Sequence, residues 1–467
     1  MALRGADLAH RLEAAVDSSR LAQHAGIGIH VVDLATGRSL YSRNEKRLFL
    51  PASNMKLFTS ALAIQTLGPD YRFTTRLIRE ASGDLALAGS GDPSMNGRAY
   101  PYSAKATPMP GLAAIEQLAD QAAINGLRRV EGDIVGDDRL YPWEPYPPSW
   151  TQDDAIHESG APVSALSVND NFIAISIAPG TSVGDNARIS LEPPLEYYAI
   201  DNRVATSPGA GPAHVAVTRI PGTRQILLSG TIPAKSAAAQ AFVAVDDPAL
   251  YAACALYDAL TRRGVAIAGR PTARHRSAGE KYDAPSGETL ATRTSPPLSQ
   301  ILQVLDKVSE NLHAELMLRE VGRATRNEGS REAGLQALSA FLDQIGAAPG
   351  DSRLDDGSGL SRNDRVTPAL VTRLLAFMYR SGNRDAWISM LPIGGQDGTL
   401  TRRLCCAAEG HLIRAKTGTL ARSIALSGYA ESKTHGWLAF SIMVNDFAAP
   451  APEIESWVDK IALTLTE

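Results

Sequence analysis

The two ends of this chain carry the same kind of pattern, and a long stretch of a different kind lies between them. Gly26-Ile27-Gly28-Ile29-His30-Val31-Val32-Asp33 alternates into a turn at Ala35-Thr36-Gly37, and Ser39-Leu40-Tyr41 returns, which predicts a β-hairpin. Near the other end, Ala425 to Ala430 and Trp437 to Asn445 are β-rich runs around Glu431 to Gly436, followed by a helix-like Ile454 to Leu465. From about 73 to 290 the chain is rich in Gly, Pro and Ala, with short β-like runs such as Val215-Ala216-Val217-Thr218 and Gln225-Ile226-Leu227-Leu228. From about Leu298 to Leu342 the pattern turns strongly helical. The expectation is one sheet-based α/β layer built from both ends and interrupted by a large β-rich insertion, with no internal repeat or low-complexity segment.

Length agrees with that division, since 467 residues exceed one typical domain and predict two or three. Hydrophobic residues at 44% and charged residues at 21% are the balance of a globular protein with material for cores. The net charge is −4 with no block of Lys or Arg, so nothing points to a nucleic-acid surface. No apolar run approaches the roughly 20 residues of a transmembrane helix. The start, Met1-Ala2-Leu3-Arg4-Gly5-Ala6, leads straight into a polar, helix-like stretch from Asp7 to Gln23, without a signal-peptide apolar region. On these residues the protein is either cytoplasmic or a mature form carrying an added start methionine. Cys254 stands alone and Cys405-Cys406 are adjacent, which strains a mutual disulfide; with no Cys/His ligand spacing and no His-Glu-x-x-His, neither a metal site nor a disulfide framework is expected.

Ser53-Asn54-Met55-Lys56 places a serine and a lysine three residues apart at the head of an apolar run. On a helix those positions share a face, with Cβ atoms roughly 5–6 Å apart, so hydroxyl and amine can share a proton. Met55, Phe58, Ala61, Leu62 and Leu67 recur near the helical period, Gly68-Pro69 supplies a stop, and Pro51-Ala52 delivers the serine. Free backbone N–H groups at a helix start can donate to an anion. Alone, Ser-x-x-Lys matches often by chance, and a solvated pair on an amphipathic helix is the plainer reading. Two further motifs change the balance. Ser309-Glu310-Asn311 follows Ile301 to Val308 in the helical region after the insertion, and Lys416-Thr417-Gly418-Thr419 precedes the C-terminal strand pair. Ser-x-Asn recurs at Ser167-Val168-Asn169 and Ser361-Arg362-Asn363, whereas Ser-x-x-Lys and Lys-Thr-Gly each occur once. One falls at a helix start and one on an edge strand, where a serine acyltransferase needs them.

In this order, with a long insertion between the first two motifs, the chain resembles the low-molecular-mass class C penicillin-binding proteins. These are D-Ala-D-Ala carboxypeptidase/endopeptidases that share a catalytic domain with β-lactamases. The resemblance covers essentially the whole chain. Pro51 to Thr59 matches the nucleophile segment, Gly89-Ser90-Gly91-Asp92-Pro93 resembles the family's Gly-x-Gly-Asp-Pro, and Asp356-Gly357-Ser358-Gly359-Leu360-Ser361-Arg362 and Lys416-Thr417-Gly418-Thr419 complete the set. It implies that Ser309 and Asn311 are the functional Ser-x-Asn. Ser167 and Asn169 then lie inside the insertion, and Ser361 in the Gly-rich loop. The implied fold is an α/β (α+β) penicillin-binding-protein/β-lactamase-like catalytic domain, an antiparallel sheet with helices, interrupted by a β-rich two-domain insertion. The expected limits are 1–72 and 291–467 for the catalytic domain, 73–170 and 270–290 for the first inserted domain, and 171–269 for the second.

A serine hydroxyl is a poor nucleophile until a base takes its proton. Lys56 can be that base if burial and a nearby cation such as Lys416 lower its pKa. The resemblance implies that Ser309 relays the proton to the departing D-alanine amine. It further implies that Asn311 holds the substrate amide and Lys56, and that the N–H groups of Ser53 and Thr419 receive the oxyanion. Lys416, Thr417, Gly418 and Thr419, with Leu420 beyond them, would bind the terminal carboxylate of a peptide or a penicillin; alone, Lys-Thr-Gly reads as a lysine that blunts a strand edge. Arg362 either recognises a charged peptidoglycan side chain or caps a Gly-rich turn at the surface. One stretch departs from the family: after Gly132 to Asp138, the chain continues Arg139-Leu140-Tyr141-Pro142-Trp143-Glu144. There Tyr141 or Trp143 would supply the aromatic wall for a diaminopimelate side chain, and Glu144 or Asp138 the charge.

The expected function is therefore a serine acyl-enzyme hydrolase acting on peptidoglycan stem peptides or cross-links and acylated by β-lactam antibiotics, with no cofactor. The resemblance implies a periplasmic or other extracytoplasmic location. No residue stands out as a dedicated deacylation base, so slow penicillin turnover is expected. The competing readings are another Ser-x-x-Lys acyl transferase (a D-amino amidase, an esterase or a cytoplasmic peptide cyclase) and a non-catalytic penicillin-binding sensor or scaffold.

Overall fold

The computed structural model describes residues 2–19, 25–219, 223–405 and 407–467. The two ends of the chain meet in one five-stranded antiparallel sheet, in the order Ile413–Leu420, Ser423–Ser432, Gly436–Asn445, Gly26–Asp33, Ser39–Arg43. Gly26–Asp33 pairs along its length with the C-terminal strand, from Gly26 opposite Asn445 to Asp33 opposite Leu438. Period-two alternation then sorts the side chains. Ile424, Leu426, Leu438, Phe440, Ile442 and Val444 pack under the helices Ala2–Asp17 and Ala451–Thr464, while Ala425, Tyr429, Ala439 and Met443 face a larger helical layer. Both sheet faces are covered. The first helix ends at Asp17, short of the expected Gln23; residues 20–23, like Cys406, lie outside the described residues.

The helical layer is built around Met55–Leu67, with Leu298–Val308, Asn311–Arg326, Arg331–Gln344 and Pro368–Arg380 packed about it. Local chemistry sets several ends. The Ser330 and Thr367 hydroxyls accept from the N–H groups of Ala333 and Leu370, and Gly68, at φ +85°, ends the Met55–Leu67 helix. The expected amphipathic face of Met55–Leu67 gives way to burial all round: every residue from Met55 to Ile64 is buried, including Lys56, Thr59 and Ser60. A helix hydrophobic on most sides belongs in a core, and the lysine within it is the exception that needs a reason.

The insertion begins with a second five-stranded sheet, ordered Pro271–Arg274, Ile134–Asp137, Leu85–Ala88, Thr74–Glu80, Gly287–Thr294. Beyond it, two three-stranded sheets are formed by Ala199–Ser207, His214–Arg219 and Gln225–Pro233, and by Phe172–Ala178, Arg188–Glu192 and Ala239–Ala244. The helix Pro248–Arg262 packs on the strands Ile134–Asp137 and Pro271–Arg274 of the first sheet. We therefore propose that the outer unit ends near 244 instead of 269, and that the inner unit runs to 294, the end of its edge strand.

Candidate active site

Ser53 sits in the single 3-10 turn Ala52–Asn54 that opens the Met55–Leu67 helix, a turn that holds Ala52 at φ +48°. One helical step on, the Lys56 Nζ donates to Ser53 Oγ at 3.0 Å, to Asn311 Oδ1 at 2.5 Å and to the Ser358 carbonyl at 2.7 Å. Ser309 ends the Leu298–Val308 helix in the left-handed region at φ +64°, and Asn311 begins the next helix, so Ser-Glu-Asn is the hinge between two helices. Lys416, on the edge strand, donates through Nζ to Ser309 Oγ at 2.8 Å and to the Thr417 carbonyl at 2.9 Å. Ser53, Lys56, Ser309, Asn311 and Lys416 are thus joined by two lysine-centred sets of hydrogen bonds.

The strand is held close to the serine turn by small and polar groups. Asn54 Nδ2 donates to the Lys416 carbonyl at 3.0 Å, and a Cβ on Gly418 would lie 2.7 Å from the Pro51 carbonyl oxygen. Glycine in Lys-Thr-Gly is thereby explained: only hydrogen fits between strand and turn. The Thr417 hydroxyl donates to Thr399 Oγ1 at 2.8 Å. Thr419 is exposed, its hydroxyl 3.3 Å from Glu455 Oε1, and Leu420 is half-buried at the end of the strand.

The Ser358 carbonyl owes its position to two buried carboxylates that the sequence reading left unassigned. Glu315 Oε1 accepts from the N–H groups of Gly357 and Ser358 at 2.8 and 2.9 Å. Asp356 accepts from the N–H groups of Ser358, Gly359 and Ser361 and from Trp150 Nε1. Gly359 has φ +79°, and a Cβ there would lie 1.9 Å from the Ala52 carbonyl oxygen. The Asp-Gly-Ser-Gly-Leu-Ser loop is therefore the back wall of the Lys56 pocket. Glu315 falls one helical turn after Asn311, a spacing that could have drawn attention to it.

Burial governs the charges. It pushes Lys56 down to about 8, against the opposing pull of Asp356, Glu310, Asp306 and Glu315. Lys416 is driven well below the usual lysine range by burial first and by the charge of Lys56 second. The expectation that Lys416 depresses Lys56 is met in the reverse direction. Burial also raises the Glu315 carboxyl to about 7, with Asp356 adding to it and Arg319 opposing.

The insertion closes one side. Asn311 Nδ2 donates to the Ser159 carbonyl at 2.7 Å, and Glu310 is ion-paired to Arg98, which also pairs with Asp170. Arg362 pairs with Asp154 through both guanidinium nitrogens and is half-exposed at the rim. The residues expected to recognise a charged side chain are elsewhere: the Tyr141 hydroxyl donates to Glu320, Asp138 pairs with His275, Trp143 stacks on His275, and the Glu144 carbonyl accepts from Arg319. The residues of this stretch that touch the Gly-rich loop are Trp150 and Asp154, a few residues downstream, which a Pro-rich stretch without periodicity hid. Among the described residues no cluster of His, Cys, Asp and Glu has the arrangement of a metal site.

The D-Ala-D-Ala carboxypeptidase 3 (S13) family profile matches residues 8–465. A D-alanyl-D-alanine carboxypeptidase of Actinomadura sp. (strain R39) is 34% identical over 458 residues, covering 94% of this chain and 81% of the relative. Penicillin-sensitive carboxypeptidase A of Dictyostelium discoideum is 25% identical over 460 residues, covering 92% of this chain and 84% of its own. The crystal structure of penicillin binding protein 4 (dacB) from Haemophilus influenzae superposes with a TM-score of 0.82 at 20% identity, covering 97% of this chain and 98% of that one, and shows the same fold.

Proposed function

The chain belongs to the D-Ala-D-Ala carboxypeptidase 3 (S13) family of serine hydrolases, and we propose that its acyl-enzyme forms on Ser53 with Lys56 as the base. The observation that carries this reading is the fully buried Lys56 Nζ held 3.0 Å from Ser53 Oγ, which is itself only half-buried. An amine titrating near 8 is neutral often enough near neutral pH to accept the serine proton. Ser53 Oγ then bonds to the carbonyl carbon of the penultimate D-alanine, and the bond to the terminal D-alanine nitrogen breaks. The proton leaves with that amine, relayed by Ser309, whose hydroxyl is 2.8 Å from Lys416 Nζ. Water cleaves the resulting ester and restores Ser53.

Lys416 and the Thr417 hydroxyl hold the terminal carboxylate, and the N–H groups of Ser53 and Thr419 receive the oxyanion. Arg362 and Asp154 sit at the rim, where a charged stem-peptide side chain would exchange partners with their ion pair. The substrates are peptidoglycan stem peptides, which implies an extracytoplasmic location; among the described residues no helix is long and apolar enough to cross a membrane. A β-lactam enters the same reaction and stays on Ser53. Of the nearby carboxylates, Glu310 is committed to Arg98, Glu315 and Asp356 are committed to backbone N–H groups, and Asp306 is fully buried beneath the lysines, so none is placed to activate the deacylating water. Fluorescent penicillin should label the wild type and leave Ser53→Ala unlabelled, while the wild type alone releases D-alanine from an acyl-D-Ala-D-Ala peptide. An unlabelled wild type would refute the acyl-enzyme, and penicillin turnover of many per second would refute slow deacylation.

A further inference from the structure

Asp306 lies on the Leu298–Val308 helix one turn before Ser309, and Ser60 lies one turn after Lys56, so both occupy the floor beneath the two catalytic lysines. Asp306, Lys56 and Lys416 are each fully buried. The Ser60 hydroxyl is the hydrogen-bonding group acting on the Asp306 carboxylate, and no donor meets either carboxylate oxygen at close geometry. A carboxylate taken out of water with so little hydrogen bonding is among the costliest groups a core can hold. Burial pushes its carboxyl up to about 7, so it is an anion through the alkaline range, and the opposing compensation is mainly electrostatic. The charges acting on it are Lys416 from the edge strand, Lys56 from the serine helix and Lys307 from its own helix, and Lys307 is engaged 2.6 Å from Asp397. On the far side of Lys56 stand Asp356, Glu310 and Glu315, held by the loop N–H groups and by Arg98.

We propose that Asp306 is the buried counter-charge that lets Lys56 and Lys416 keep one shared proton, making it a positioning residue that sets the pH window of acylation without touching Ser53 or substrate. This rests on the reading of Lys56 as base and Lys416 as carboxylate holder. Lys56 Nζ has three acceptors, enough for an ammonium, while Lys416 Nζ has two. One proton on the pair suits the chemistry: one lysine must be able to accept from Ser53, and the other must be positive toward a carboxylate. Two adjacent buried ammonium groups disfavour each other, as the lowering of Lys416 by the charge of Lys56 shows, and Asp306 is the anion acting on both lysines. The three groups then titrate as one unit.

The signs follow. Without the negative charge both lysines lose their protons at lower pH. The acid limb of kcat/KM, where a lysine becomes free to act as base, moves to lower pH. The alkaline limb, where the remaining ammonium is lost, moves the same way. Asp306→Asn should therefore shift the alkaline limb for D-alanine release by about one unit or more, the usual effect of a close opposite charge. Asp306→Glu should return it toward the wild-type position, with melting temperatures measured for each protein. If Asp306→Asn does not fold, Asp306→Ser takes its place beside Asp306→Glu, and charge, not size, must sort the limbs. A folded neutral variant whose limbs coincide with the wild type overturns the inference while Ser53-dependent penicillin labelling of the wild type leaves the acyl-enzyme reading standing. Loss of that labelling in the wild type would remove both.

Discussion

The pocket behind Ser53 and the outer unit of the insertion use charge in opposite ways. In the pocket Lys56, Lys416, Asp306 and Glu315 are fully buried among helices and an edge strand. In the outer unit the strand His214–Arg219 alternates exposed and half-buried residues, and its ions, such as the Arg203–Asp201 pair, stand in solvent. Water weakens the second kind of interaction to near nothing, whereas its exclusion strengthens the first and makes each buried ion costly. A core needing only stability would fill the pocket with leucines. That contrast predicts a division: changes in the pocket alter chemistry more than stability, and changes in the outer unit do the reverse or nothing.

The largest effect is expected from Lys56→Met, which keeps an unbranched chain and removes the amine. Acylation of Ser53 by penicillin should fall by about 10²- to 10⁴-fold, the range for loss of a general base. The melting temperature should move much less than the rate, because relief of a desolvated ammonium is set against the donor lost to Asn311 and the Ser358 carbonyl and the counter-charge lost to Asp306. In the wild type the acylation rate should climb with pH through about 8 as Lys56 loses its proton and fall again when the remaining ammonium is lost. A rate flat from pH 6 to 9 would break the assignment. Gly359→Ala comes next, since its Cβ would enter the Ala52 carbonyl at a positive φ. It should cost about 1–3 kcal/mol in denaturant unfolding and slow labelling through a displaced Ser358 carbonyl.

The outer half of the comparison is sharpened by Asp246→Asn. At the joint between the outer strands and the helix Pro248–Arg262, the hydroxyls of Tyr197 and Tyr198 both donate to Asp246 Oδ1, at 2.8 and 2.9 Å. Weakening those bonds should lower stability by about 1–2 kcal/mol and leave the penicillin acylation rate unchanged. A matching loss of acylation would mean that the insertion and the pocket are not separable.

The sequence made the same two regions unequally legible. The shared sheet was readable because alternation at both ends is a strong local signal, and Ser53, Lys56, Ser309, Asn311 and Lys416 because three short motifs fall in a fixed order. The helix Pro248–Arg262 falls within the expected 171–269 yet packs on the strands Ile134–Asp137 and Pro271–Arg274, because composition says nothing about which sheet a helix covers. Asp306 and Glu315 went unremarked because an acidic residue in a helix looks solvated until its neighbours are known; only the packing of Met55–Leu67 against both later helices buries them. Trp150 and Asp154, which touch the Gly-rich loop, went unremarked beside Tyr141, Trp143, Glu144 and Asp138 because a Pro-rich loop has no periodicity from which to count.

The smallest expected effect tests the contrast at its quiet end. Arg203 forms a fork on Asp201, with nitrogen-to-oxygen distances of 2.6–3.1 Å, as good a geometry as the pocket offers. If geometry alone fixed the worth of an ion pair, Arg203→Ala would cost as much as a buried contact. Its two side chains are largely exposed, at 67% and 49%, so solvent screens the attraction and the folded state gains little from holding two mobile side chains together. Arg203→Ala should therefore change neither the unfolding midpoint nor the acylation rate, at low salt or high. A measurable, salt-sensitive destabilisation would show that the outer unit depends on its surface charges. The buried lysines would then differ from them in degree and no longer in kind.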